Sequence, residues 1–199
     1  MRGEEWPDAL DLRGVTESVV TTLGPHGRWN LAALGLHAPE ADGAGGAAGP
    51  VTARTWGRTR TWRNFTERGE GYVQFTRDPV DFVDAALAVR EETAPLLDGV
   101  DAWARVTVSR LDAGETGGTA WVDWALSVRE AGVERETVPT TNRGYNAVVE
   151  ATVAASRLDV ESYDSDRLRE RIDHYEGVAR RCGGPRERAA MDRLLELVA

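Results

Sequence analysis

The chain has 199 residues, of which 41% are hydrophobic, so it can bury a core and is not disordered throughout. It carries 33 acidic and 24 basic residues, and the resulting net charge of -9 disfavours nucleic acid as a partner. A single cysteine, Cys182, excludes an intrachain disulfide.

Every basic residue is an arginine, and alanine, glycine and threonine are abundant. This composition is typical of a salt-adapted, halophilic organism with a GC-rich genome, although GC bias alone explains it equally well. Residues 1–11 are polar and do not form a signal peptide. No apolar run approaches the roughly 18 residues that span a bilayer. We therefore expect a soluble, cytoplasmic protein that does not bind membranes.

Strands dominate the first part of the chain. Val15–Leu23 is rich in β-branched residues, and the turn at Gly24–Gly27 leads to a second strand at Arg28–Leu36, which predicts a hairpin. Residues 38–50 are rich in Pro, Ala and Gly and predict a surface loop. Within this loop, residues 43–48 fit the dinucleotide pattern G-x-G-x-x-A. We reject that match because Pro50 and β-branched residues follow instead of a helix.

Two further strands, at 51–56 and 71–76, flank a short helix. The helix is predicted over 61–68, with Thr61 as its N-cap. Asp78-Pro79 then begins another helix, since Asp is a good cap and Pro suits the first helical position.

Two longer strands are predicted at 102–111 and 119–129, joined by a glycine turn. The apolar parity changes between Trp121 and Trp124, which indicates a β-bulge or a strand buried on both faces.

From Asn142 onward the apolar spacing becomes helical. Asn142 is the predicted cap of the first helix, Asp164 or Ser165 that of the second, and Pro185 begins the last. Strands followed by helices predict a mainly β, α+β fold: a barrel or sandwich over residues 1–140 and a helical segment over 141–199, packed on or beside it.

The sequence gives little sign of metal or nucleophile chemistry. The three histidines, His26, His37 and His174, lie far apart and lack ligand spacing with Cys182, so we expect no metal site. The position of Cys182 at a helix end favours burial and capping over reactivity. No residue can be named as catalytic.

One local cluster stands out against the acidic chain. Three arginines, two threonines and an asparagine surround the start of the short helix: Arg58, Thr59, Arg60, Thr61, Arg63 and Asn64. A helix start presents free N–H groups and favours an anion, and arginine is suited to phosphate. The cluster is therefore either a phosphate site or a surface whose arginines pair with Asp and Glu.

The same cluster carries a family resemblance. Thr59–Phe65, then Gly69 and the strand Gly71–Phe75, resemble the flavin reductase pattern of Asp-Thr, two residues, Asn and an apolar residue before a Gly and a strand. Val20–Thr22, a glycine turn and Asn30–Gly35 resemble the paired strands whose backbone faces the flavin ring in that family.

The whole chain is similar to an archaeal and planctomycete family, domain-of-unknown-function family 447. Its members pair this split barrel with a C-terminal helical segment. The matching pieces are Asp78–Phe82, Asn142-Arg143 with Val149–Ala151, and Cys182–Gly184 with Arg186-Glu187. This sequence departs from the relatives in having Gln74 where they commonly have Asn, and its loop at 38–50 has no counterpart.

The resemblance implies an FMN-binding split β-barrel, with the FMN phosphate near Thr61 and Asn64 and the ring beside Asn30–Gly35. Arg143, in the first turn of its helix, is hypothesised to reach the flavin site; the alternative is an ion pair with Glu136 or Glu150. The cofactor-binding candidates are Asn30, Ala32, Ala33, Gly35, Arg58, Thr59, Arg60, Thr61, Asn64, Asn142 and Arg143.

Three functions remain open at this point. The first is an FMN-dependent oxidoreductase of unknown substrate, acting with a nicotinamide or a pterin-like compound. The second is a non-enzymatic FMN store, sensor or electron carrier, and the third is a helical interaction protein with an empty flavin site.

The resemblance also implies a homodimer. Seven tryptophans are more than one small barrel core readily encloses, so some should lie at the subunit boundary. The candidates are Trp56, Trp103, Trp121 and Trp124. The alternative is that all of them lie in the core of a monomer.

Overall fold

The computed structural model describes residues 2–3, 5–39, 49–138 and 140–199. Most of the predicted loop, including the dinucleotide-like segment 43–48, lies outside the described residues. Within the described ranges the chain forms eight strands, five α-helices and a short 3₁₀ turn at Asp8–Leu10.

The predicted strands and helices occur in the predicted order, and two short strands, at Arg2–Gly3 and Arg90–Glu92, were not predicted. The strands are β1 (Arg2–Gly3), β2 (Val15–Leu23), β3 (Trp29–His37), β4 (Val51–Trp56), β5 (Glu70–Phe75), β6 (Arg90–Glu92), β7 (Ala102–Thr116) and β8 (Thr119–Val133). The helices are α1 (Arg60–Arg68), α2 (Pro79–Leu87), α3 (Arg143–Ala155), α4 (Ser165–Cys182) and α5 (Pro185–Val198). The predicted bounds of β2 and β4 are confirmed in full, whereas β7 and β8 are several residues longer than predicted.

Six strands close into an antiparallel barrel in the order β8-β4-β3-β2-β5-β7, and β7 pairs with β8 to complete it. β1 adds to β8, and β6 pairs with β3. Alternate residues point inward and are fully buried, as at Val20, Leu36, Val73 and Val106. The mainly β, α+β fold predicted from the sequence is confirmed.

The apolar alternation of β8 changes near Trp121, but no bulge interrupts the pairing of β8 with β4 at that point. β8 pairs with β4 without interruption from Trp121 to Leu126, and Val122, Trp124 and Leu126 all face the core. The β7–β8 pairing has two extra residues, Leu111 on β7 and Arg129 on β8, and neither lies at Trp121. Burial on both faces, the other predicted cause, is found just after it, where Trp124, Ala125 and Leu126 are all buried. Trp121 is an apolar residue on the outer face of β8, and this is what breaks the alternation in the sequence.

Aromatic rings cover glycines on neighbouring strands of the barrel. Trp121 pairs with Gly114 and Trp103 with Gly132. A Cβ atom added at Gly114 would lie 2.6 Å from the Trp121 ring, and one at Gly132 would lie 2.8 Å from that of Trp103. Each ring therefore occupies the volume that a side chain on the opposite strand would need.

The chain divides into two compact units. The barrel unit comprises Met1–Thr76 and Glu91–Glu136, and the helical unit comprises Arg77–Arg90 and Thr137–Ala199. Helix α2 thus packs with the C-terminal helices, although the sequence placed residues 77–90 in the first domain. The core of the helical unit is apolar and contains Val83, Val148, Ile172, Met191 and Leu194.

The predicted caps of this unit are confirmed. The Asp78 side chain accepts from Val80 N, and Asp164 caps α4 through the amides of Asp166 and Arg167. Asn142 Oδ1 accepts from Gly144 N at 2.8 Å and Tyr145 N at 3.2 Å. Cys182, by contrast, is exposed rather than buried, because it faces outward on the last turn of α4.

Two segments that carry the resemblance meet inside the helical unit. A Cβ atom on Gly144, in the first turn of α3, would lie 2.3 Å from Gly183 Cα, just after α4. Only glycine at 144 permits this approach of two backbones. The contact explains why Asn142-Arg143 and Cys182–Gly184 belong to one pattern.

Among the residues that the structure describes, no helix combines the length and the apolar character needed to cross a bilayer.

Candidate cofactor site

The start of α1 is capped by Thr59. Its backbone is extended, and its hydroxyl accepts from Trp62 N at 3.2 Å. The prediction of Thr61 as the cap is wrong: Thr61 is the second residue of the helix and is buried. Both threonines suit a cap by residue type, and the position at which the chain leaves the extended conformation decides between them.

Free backbone donors remain at this helix start. The first intrahelical bond runs from Arg63 N to Thr59 O, at 3.1 Å. The amides of Arg60 and Thr61 precede it and therefore have no acceptor within the helix. Together with the positive end of the helix dipole, they favour an anion.

Three exposed arginines, Arg58, Arg60 and Arg63, lie next to these amides in the sequence, and one of them has a carboxylate partner among the described residues. Arg60 Nη1 lies 3.0 Å from a carboxylate oxygen of Glu91. The Arg58 guanidinium lies 5.9 Å from the centre of the Trp62 ring. Among the described residues, neither Arg58 nor Arg63 forms an ion pair. The surface alternative, in which Asp and Glu pair with the whole cluster, therefore holds for Arg60 alone.

Asn64 connects α1 to the barrel. Its Nδ2 donates to Thr22 Oγ1 at 3.0 Å, and Thr22 stands opposite Asn30 in the β2–β3 register. Asn64 is 1% exposed, and its Oδ1 has no hydrogen-bond donor among the described residues. A buried acceptor without a donor costs about 1–3 kcal/mol, so this oxygen is suited to a donor from a ligand or an ordered water.

The predicted ring residues on β3 alternate between two faces. Asn30 and Ala32 share the face that carries the core residue Leu34, whereas Ala33 and Gly35 lie on the opposite face. A planar ring laid against one face therefore meets at most two of these four residues, and on the second face only Ala33 offers a side chain.

Asn142 and Arg143 belong to the helical unit. Asn142 uses its side chain as the cap of α3, as predicted. Arg143 is exposed and has no ion-pair partner among the described residues; Glu150 pairs with Arg171 at 3.3 Å instead. Among the described residues, the alternative ion pair of Arg143 with Glu136 or Glu150 is therefore not present. The reach of Arg143 to the flavin site stays a prediction.

Sequence reasoning missed the roles of Glu91 and Gln74. Glu91 meets Arg60 from 31 positions away, and no local pattern signals that contact. Gln74 is fully buried, donates to Pro95 O at 2.9 Å and accepts from Leu97 N at 2.8 Å. Its longer side chain thereby fastens the segment after β6 to the barrel.

A second cluster, the Arg54–Trp patch, lies on the outer face of β4 and β8 and comprises Arg54, Trp56, Trp121 and Asp123. The Arg54 guanidinium donates to both Asp123 carboxylate oxygens, at 2.6 and 2.7 Å, and lies 4.0 Å from the centre of the Trp121 ring. These hydrogen bonds hold the pKa of Asp123 below its usual value. Trp56 is 47% exposed beside them.

In the part of the chain that the structure describes, no group of three or more His, Cys, Asp or Glu side chains is arranged to hold a metal ion.

Comparison with solved structures places the fold. An FMN-bound DUF447 protein from Methanosarcina mazei is similar with a TM-score of 0.73 and 24% identity, over 94% of this chain and 96% of that one. Weaker likenesses include nitrilotriacetate monooxygenase component B from Bacillus cereus (TM-score 0.44, 15% identity, 65% of this chain and 74% of that one). Flavoredoxin from Methanosarcina acetivorans is similar with a TM-score of 0.41 and 14% identity, over 69% of this chain and 79% of that one. Only the first is close enough to bear on this chain, and it confirms the predicted split-barrel fold with C-terminal helices.

The sequence also matches both domain models of one protein family. Residues 16–135 match the N-terminal domain of a family described as protein of unknown function (DUF447). Residues 142–196 match the C-terminal domain of that family, in the same order along the chain. Since the N-terminal domain alone spans more than half of its length, the chain belongs to the DUF447 family.

Proposed function

We propose that the chain is an FMN-binding flavoprotein whose barrel unit holds the FMN phosphate at the start of α1. The observation that carries the proposal is a pair of arginines, Arg58 and Arg63, that form no ion pair among the described residues and stand at a capped helix start in a chain of net charge -9. The FMN-bound family member from Methanosarcina mazei supports the choice of cofactor.

The polar groups at and beside the start of α1 fit both the phosphate and the remainder of an FMN molecule. The amides of Arg60 and Thr61 and the guanidinium groups of Arg58 and Arg63 are donors, which phosphate oxygens require. Asn64 Oδ1 is an acceptor and therefore does not suit a phosphate oxygen. It suits a hydroxyl or N–H group, and FMN carries both on its ribityl chain and ring.

The finer proposal is a flavin-dependent oxidoreductase acting with a nicotinamide or a pterin-like compound. Bound FMN supplies the hydride or electron transfer, and the chain supplies binding and orientation. The residues proposed to hold it are those of the α1 start and of β3, with Arg143 as a further contact. A non-enzymatic carrier or sensor would use the same residues, and steady-state oxidation of NADH or NADPH by the FMN-loaded protein separates the two functions.

Retention of flavin tests the proposal directly. Protein mixed with excess FMN and then passed through a desalting column should carry a stoichiometric amount of flavin, because the donors described above hold the phosphate. Absorbance in the visible flavin bands measures it. Protein that emerges colourless after this treatment, while its circular dichroism shows a folded chain, would contradict FMN binding.

We further propose that the protein is a homodimer with Trp56 and Trp121 at the subunit boundary. Trp103 and Trp124 are each 4% exposed within one chain, so the other two remain as candidates. Exposed tryptophan beside arginine is typical of protein interfaces. Light scattering at micromolar concentration and high salt should give twice the chain mass of 21.7 kDa.

A charged substitution in the patch should dissociate this dimer. Trp56→Arg should shift the mass toward that of a single chain, because it removes the exposed ring and adds an unpaired charge beside Arg54. Val89→Arg is the matched control, since Val89 is 75% exposed and lies outside the patch. A wild-type mass of 21.7 kDa, or equal masses for both variants and wild type, would argue against this boundary.

A further inference from the structure

Glu91 places a carboxylate at the start of α1. It belongs to β6, which pairs with β3, and its carbonyl oxygen accepts from Arg28 Nη2 at 3.4 Å. Its carboxylate oxygen lies 3.0 Å from Arg60 Nη1. The backbone of Glu91 is thus held on the barrel while its side chain reaches the first residue of the helix.

This ion pair is weak enough to be displaced. The two side chains are 45% and 41% exposed, and exposed pairs of this kind contribute little to stability. Arg60 is nevertheless the only arginine of the cluster that has a carboxylate partner among the described residues. An anion that binds at the helix start therefore has to compete with the Glu91 carboxylate for one of the three arginines, Arg60.

We propose that Glu91 is a specificity-determining residue of the FMN site, and this inference rests on the proposed function. Its carboxylate competes with the ligand phosphate for Arg60. Competition lowers the affinity for FMN and leaves the affinity for riboflavin, which has no phosphate, unchanged. Glu91 thereby limits how strongly the site prefers phosphorylated flavin.

The first test compares two charge-removing variants. Glu91→Gln should bind FMN about fivefold more tightly than wild type. Without the Glu91 carboxylate, Arg60 is available to donate to the phosphate. Fluorescence titration of flavin-free protein measures this, with riboflavin titrated in parallel. Glu67→Gln is the matched control: Glu67 is exposed on the same helix, about 10 Å further along its axis, and has no ion pair among the described residues.

The second test asks whether Glu91 acts through Arg60. In an Arg60→Gln background, the gain from Glu91→Gln should shrink to that of Glu67→Gln, because no guanidinium remains to be released. An equal gain in both backgrounds would mean general repulsion of the phosphate and would overturn the competition.

The remaining outcomes separate this inference from the proposed function. Wild-type protein that binds FMN, combined with unchanged affinity in Glu91→Gln, refutes the role of Glu91 alone. Parallel gains for FMN and riboflavin also refute it, since riboflavin cannot compete for Arg60. Wild-type protein that binds neither flavin refutes the proposed function, and the inference falls with it.

Discussion

Replacing Arg58 and Arg63 together by glutamine should weaken FMN binding about a hundredfold. Each guanidinium is proposed to donate charge-assisted hydrogen bonds to the phosphate, worth about 1.5–3 kcal/mol when well formed and less at an exposed site. Neither arginine has an ion-pair partner to lose among the described residues. Glutamine retains much of the side-chain length, and at position 63, inside α1, it has a good helix propensity, so the fold should persist.

Fluorescence titration of flavin-free protein measures this loss. Riboflavin should bind the variant and wild type alike, because it has no phosphate for the arginines to hold. The double variant Arg167→Gln, Arg169→Gln is the charge-matched control, since both residues are exposed on α4 in the helical unit. If the control loses FMN to the same extent, the effect is one of net charge and the phosphate assignment is wrong.

Gly144→Ala should destabilise the helical unit by about 3 kcal/mol. The added methyl group would lie 2.3 Å from Gly183 Cα and 2.5 Å from Gly183 N. Backbone atoms cannot rotate aside as a side chain can, so α3 and the end of α4 have to separate. The apolar contacts around Val148 and Ile172, both fully or nearly fully buried, would then loosen.

Urea unfolding followed by circular dichroism measures the change in the free energy of unfolding. Gly177→Ala is the matched control, because a Cβ atom there meets only the flexible end of Arg181, at 3.2 Å. Gly177 lies inside α4, where alanine is favoured over glycine by about 0.5–1 kcal/mol, so this variant should be stabilised. Two variants of equal stability would show that the backbones at 144 and 183 do not constrain each other.

Local sequence patterns predicted most of the secondary structure. The β-branched run of β2 and the caps Asp78 and Asn142 each allow one interpretation in physical terms, and the structure confirms them. For α4 the sequence left Asp164 and Ser165 open, and the structure shows Asp164 as the cap. The choice between Thr59 and Thr61 was ambiguous, because cap preference depends on residue type while the cap position depends on where the backbone turns. Sequence therefore located the helix to within one residue but assigned the wrong cap.

Long-range partners were beyond the reach of local patterns. The apolar face of α2 was visible in Phe82 and Val83. Nothing in the sequence shows, however, that this face packs with the C-terminal helices and not with the strands that precede and follow α2 along the chain. Glu91 meets Arg60, and Asp123 meets Arg54, across separations of 31 and 69 residues. The candidate cofactor residues came from the helix start and the family resemblance, whereas the carboxylate beside them needed the structure.

The glycines beneath Trp103 and Trp121 have a consequence for how this barrel can evolve. A side chain at Gly114 or Gly132 would occupy the volume of the ring on the opposite strand. Each ring and its glycine are therefore constrained as a pair, and a mutational path must shorten the tryptophan before it can enlarge the glycine. Across the family, these paired positions should covary, with a bulky residue on one strand accompanying glycine on the other.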